Sequence, residues 1–124
     1  MDKMIEKRNW DMMIEIIEFL QQHEIFEDVF LYTNGHCYAS TKTPDSKLCN
    51  TRFGPFYDYG ERDVHEVSKY VNPETLTMSF DGLLYEDYNG YVNYADSQET
   101  IREIADKYGF YPEQGEAFNL SMYE

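Results

Sequence analysis

Two runs rich in β-branched and aromatic residues, Asp28-Val29-Phe30-Leu31-Tyr32 and His36-Cys37-Tyr38-Ala39-Ser40-Thr41, flank Thr33-Asn34-Gly35. Asn-Gly between two such runs is the strongest short-range hairpin signal. A type I′ turn needs positive φ at both central residues, and Asn and Gly reach it at least cost. The chain therefore contains an antiparallel strand pair near residue 30, and the rest must cover at least one face of it.

The segment from Lys3 to His23 supplies a cover. Ile5, Asn9, Met12, Met13, Ile16, Ile17 and Leu20 recur at helical spacing, while Glu6, Asp11, Glu15, Glu18 and Gln22 take the opposite side. The paired Met-Met and Ile-Ile make a stripe too wide for a coiled-coil seam, so it faces a core.

Beyond the hairpin, Lys42 to Asn50 is turn-rich around Thr43-Pro44-Asp45-Ser46, and Thr51 to Gly60 reads as a short strand or aromatic loop broken at Gly54-Pro55. Val64, Val67 and Val71 predict a helix over Arg62–Tyr70, ended by Asn72-Pro73. Leu76-Thr77-Met78-Ser79-Phe80 alternates as a strand with Leu76, Met78 and Phe80 inward. Leu83 to Asn89 suits either one helical turn or an edge strand, and Asn89-Gly90 marks a turn before Tyr91-Val92-Asn93-Tyr94. A helix spans Ser97–Tyr108, with Asp96 and Glu99 at capping-box spacing and Gly109 at the C′ position. The tail from Phe110 to Tyr123 reads as a hairpin whose first arm, carrying Pro112, lies at a sheet edge. The expected fold is α+β, a mainly antiparallel sheet with two to three helices packed on one side, in a single domain over residues 1–124.

Composition sets the class of partner. The chain of 124 residues has a formal net charge of −14, with 42% hydrophobic and 17% aromatic residues, far from the signature of disorder. Residues 1–52 carry nine acids and six bases; residues 53–124 carry fifteen acids and four bases. Direct nucleic-acid binding is disfavoured, because phosphate contacts need clustered Lys and Arg, and an anionic membrane is disfavoured for the same reason. No apolar run approaches the length of a membrane span, and the N-terminus has no signal-peptide h-region, so a cytoplasmic location is expected. Two cysteines, Cys37 and Cys49, make no disulfide framework and are expected to be reduced.

Four soft ligands, His36, Cys37, Cys49 and His65, lack the short spacings of structural zinc sites. Asp58, Asp63, His65 and Glu66 fall within nine residues and could hold a divalent ion for hydrolysis, or form a solvated acidic helix start. Cys37 with His65 lacks a Gly cluster to form an oxyanion hole, and no nucleophile elbow, phosphate loop or zinc-protease motif occurs. No enzyme and no cofactor is expected on these grounds.

Between Lys69 and Arg102 there is no basic residue, and acids alternate with tyrosines. Asp81, Tyr85, Glu86, Asp87, Tyr88, Tyr91, Tyr94 and Asp96 are the candidate partner-binding residues. Carboxylates attract a cationic surface, and tyrosine rings bury area against it. Core packing would occupy some of these rings, and solubility alone would account for part of the charge.

At the level of class, size, charge, tyrosine content and the lack of enzyme motifs resemble the small acidic anti-defence proteins of phages and mobile elements, anti-CRISPR and anti-restriction inhibitors among them. That resemblance implies an inhibitor occupying a basic, nucleic-acid-binding surface of a partner protein, in some cases as a DNA mimic. The alternatives are a metal-dependent hydrolase or nuclease using Asp58, Asp63, His65 and Glu66, and an immunity or antitoxin protein neutralising a basic toxin.

Overall fold

The computed structural model describes residues 3–124. Helix α1 spans Lys3–Gln22 and buries Asn9, Met12, Met13, Ile16, Ile17, Phe19 and Leu20, the stripe its spacing predicts. It ends in a Schellman motif: the Ile25 amide donates to Leu20 O at 2.9 Å and Glu24 to Gln21 O, with Glu24 at φ 57°. Buried Ile25 is the hydrophobic contact that holds this unusual non-glycine cap.

Strands β1 (Val29–Thr33) and β2 (His36–Ala39) form the expected hairpin, with Asn34 and Gly35 at φ 53° and 79°. Strands β3 (Lys47–Thr51) and β4 (Gly54–Glu61) form a second hairpin. The Thr43–Ser46 turn is present, held by reciprocal bonds between the Ser46 hydroxyl and the Thr43 backbone, but a strand starts directly after it. Gly54-Pro55 likewise opens β4 rather than breaking it. Pro55 stands second in the strand, where a missing donor is tolerated.

The helix expected over Arg62–Tyr70 does not form. Only a 3-10 turn, Val64–Glu66, is present, capped by the Asp63 carboxylate accepting from the His65 amide at 2.9 Å. The remainder runs across the sheet, where Asn72 donates to Met122 O at 2.9 Å and its amide to the Ser121 hydroxyl at 3.2 Å. Those tertiary bonds take the place of helical ones.

Strand β5 (Thr77–Phe80) buries Met78 and Phe80, with Leu76 buried just before it. Helix α2 (Gly82–Tyr88) resolves the ambiguous segment in favour of a helix, with Asp81 as its N-cap. Tyr91–Tyr94 is irregular. Helix α3 (Ser97–Lys107) ends in a second Schellman motif, with Gly109 at φ 87° and the Phe110 amide bonded to Ala105 O at 2.9 Å. Strands β6 (Tyr111–Glu116) and β7 (Asn119–Tyr123) close the chain, and β6, carrying Pro112, is an edge.

All seven strands pair antiparallel in the order β3-β4-β2-β1-β5-β7-β6. Leu31 lies opposite Tyr38 on one side and Met78 on the other, and Met78 lies opposite Leu120. This row packs with Met12, Ile16 and Leu20 of α1, Leu84 of α2 and Ile101 of α3 in one core between sheet and helices. Each such buried aliphatic side chain contributes about 1.5–3 kcal/mol. The opposite sheet face carries Phe30, Tyr32, Ala39, Tyr57, Tyr59 and Ser79. Towards β7 it is covered by residues 62–75, which leave Thr77 and Ser121 fully buried and bonded hydroxyl to hydroxyl at 2.6 Å. No described helix is long and apolar enough to cross a membrane.

Candidate functional site

The sheet order separates the charges. Residues 40–57, at the β3 end, carry three bases and one acid; residues 81–116, which build α2, α3 and β6 at the far end, carry nine acids and two bases. The ion pairs sharpen the contrast. Glu15 is paired with Lys107 at 2.6 Å, Glu18 with Arg52 at 3.1 Å and Asp11 with Lys7 at 2.6 Å, so the acids of α1 are largely compensated. Among the described residues of the acidic end, Glu99 pairs with Arg102, whereas Asp81, Glu86, Asp96, Glu113 and Glu116 form no ion pair with Lys or Arg.

The tyrosines divide into two groups. Tyr91 is 71% exposed and Tyr94 58%, and half-buried Tyr85 stacks on Tyr91 with ring centroids 6.2 Å apart and planes 16° apart. Stacking on a packed ring orients Tyr91 without burying it. Tyr88 instead belongs to the core, its ring 5.4 Å from that of Phe80, and burial pushes its hydroxyl up to about 12. Tyr88 is therefore removed from the candidate surface.

Asp87 is removed as well. Its carboxylate is buried and accepts three backbone amides: Tyr94 at 2.6 Å, Ala95 at 2.9 Å and Ser97 at 2.8 Å. Burial alone would raise its pKa, but the hydrogen bonds from Ser97, Ala95 and Tyr94 win and hold it below the ordinary aspartate value. Asp87 does what the sequence assigned to Asp96 and Glu99. Asp96 adopts φ 48° and makes no side-chain cap, and Glu99 turns to Arg102, so the capping box is absent. A carboxylate from α2 caps α3 across the loop. Spacing along the chain cannot reveal a cap supplied from ten residues away.

Asp81, Tyr85, Glu86, Tyr91, Tyr94 and Asp96 thus remain at the surface or half exposed. Tyr111, 48% exposed on β6, joins them at the same end of the sheet, with Glu113 and Glu116 following on its strand. The sequence reading missed these three because they fall outside the base-free stretch, and only strand order brings β6 beside the α2–α3 region. A cleft of about 440 Å³ lies there, bordered by Val92, Asn93, Asp96, Glu99, Arg102 and Pro112.

The hydrolytic candidates are arranged otherwise. Asp58 pairs with His36 Nδ1 at 3.0 Å and accepts from the Gly60 amide at 2.7 Å, while Asp63 pairs with His65 Nδ1 at 2.9 Å. These are two separate carboxylate–imidazole pairs, and Glu66 stands apart on the exposed 3-10 turn. His36, Asp63 and His65 border a cleft of about 180 Å³ with Arg62. Among the described residues, no three His, Cys, Asp or Glu converge in a way that would hold a metal ion. Cys37 and Cys49 are free thiols, and burial pushes Cys37 up to about 11, leaving it protonated and unreactive at neutral pH.

No protein-family model matches the chain, and no curated protein or solved structure matches it.

Proposed function

We propose that the protein is a binding module that occupies a basic surface of a partner protein, of the kind that engages nucleic acid. One observation carries this reading: uncompensated carboxylates and exposed tyrosines share the β6 end of the sheet, while Lys42, Lys47 and Arg52 lie at the β3 end and Lys7, Arg52 and Lys107 are drawn into ion pairs with the acids of α1. Such a separation speeds encounter with a cationic partner and orients it, and Tyr91, Tyr94 and Tyr111 supply contact area with little entropy lost per ring. An inhibitor of a nucleic-acid-processing enzyme and an antitoxin facing a basic toxin use the same physics, and partner identity separates them.

The test is capture on immobilised protein at low salt, with identification of what is retained and displacement by duplex DNA. A retained nucleic-acid-binding protein, released by DNA and by salt, whose own DNA or RNA binding is blocked stoichiometrically, supports the reading. Retention unaffected by both competitors overturns it. Glu86→Lys combined with Glu113→Lys should slow association about threefold to tenfold at low ionic strength. Both side chains are exposed and unpaired, so thermal stability should be nearly unchanged.

A further inference from the structure

On the sheet face turned away from the helices, the half-buried ring of Phe30 and the 39%-exposed ring of Phe118 border a hollow of about 380 Å³ floored by Ser79. Asp28 and Asp81 border the same hollow, and neither forms an ion pair with a Lys or Arg among the described residues. The hollow is preformed. The Phe80 amide donates to Phe118 O at 2.8 Å and the Asp81 amide to Asp28 O at 3.0 Å, so backbone bonds tie its walls to β5. Phe30 is further held edge to face against Tyr59, with centroids 5.9 Å apart.

We infer that this hollow is a socket for a guanidinium group, an arginine side chain presented by the partner protein. Two phenylalanine rings line the hollow, a surface on which a flat cation packs favourably, and Asp28 together with the second oxygen of Asp81, whose Oδ1 accepts the Gly82 amide at 2.9 Å, supplies acceptors for its N–H fork. An anionic group is repelled by the paired aspartates. A purely apolar side chain would leave both carboxylates to be desolvated without a counter-charge. This inference rests on the reading of a cationic partner and adds where one of its side chains is received.

The experiment is a two-dimensional amide NMR titration of the full chain with N-acetyl-arginine-amide, and in parallel with N-acetyl-citrulline-amide, its uncharged isostere. Saturable shifts confined to the neighbourhood of Phe30, Ser79 and Phe118 are expected with the arginine compound and not with the citrulline one. Asp28→Asn with Asp81→Asn should weaken the effect about tenfold, a loss of about 1.4 kcal/mol. Asn tolerates the positive φ at position 28 and caps a helix as well as Asp, so the double variant should keep the fold. Equal shifts from both compounds, shifts elsewhere, or indifference to the double substitution overturn the socket. If the arginine titration fails while salt-sensitive capture of a basic partner persists, the socket falls and the broader function stands. If the socket binds but no basic partner is retained, the function falls instead.

Discussion

Asp87 shows how far the role of a residue can lie from its surroundings in the sequence. Between Glu86 and Tyr88 it reads as one more exposed acid, yet it is the hub that holds residues 94–97 and starts α3. Asp87→Asn keeps the shape but turns an amide donor towards backbone donors, and should cost about 2–3 kcal/mol in urea denaturation at pH 7. Because the folded pKa lies below the unfolded value of about 3.9, the contribution is complete above that value and is lost as pH falls through the folded pKa. The gap between parent and variant should therefore narrow from pH 7 towards pH 3. A constant gap would mean that the charge of Asp87 is not what holds the loop. Reversing Asp87 to Lys to probe a binding surface would instead break the fold.

Elements governed by local chemistry were legible in the sequence. The Asn34-Gly35 turn, the stripe of α1, the alternation of β5 and Gly109 after α3 each decide their own conformation within a few residues, and all four are found in the structure. Strand β3 and residues 62–75 were not legible, because what fixes them is remote. Strand β3 is selected by pairing with β4, and the 62–75 segment by Ser121 and Met122 some fifty residues later. Gly115 is the point where that cover meets β6. A Cβ there would stand 2.7 Å from Asn119 Oδ1 and 2.9 Å from both Tyr70 Cβ and Tyr70 O, the last a backbone atom that cannot swing aside. Gly115→Ala should lower stability by about 1–3 kcal/mol and speed hydrogen exchange at the Asn72 amide. Unchanged exchange there would show that the segment is held independently of β6.

For the whole molecule, net charge and its bias towards the second half were visible in composition, but the separation of charge along the sheet emerged only from strand order. A net charge of −14 on a chain this small opposes its own compactness. Raising NaCl from about 0.02 M to 0.2 M shortens the screening length from roughly 20 Å to about 7 Å and should raise Tm by about 2–6 °C. A falling Tm would mean that the ion pairs of α1 outweigh the repulsion among the carboxylates. The two borders of the sheet also differ in what they permit. At one, Pro112 withholds a donor, the register shifts between Gln114 and Glu116, and Glu113 and Glu116 would confront their own copies. The other, Lys47–Thr51, is regular in register, free of proline and of acids. Fibril seeding by stray polypeptide therefore has a single receptive flank, the one most distant from the carboxylate-rich end, and a proline placed at Leu48, whose amide faces away from β4, would be the economical way to blunt it.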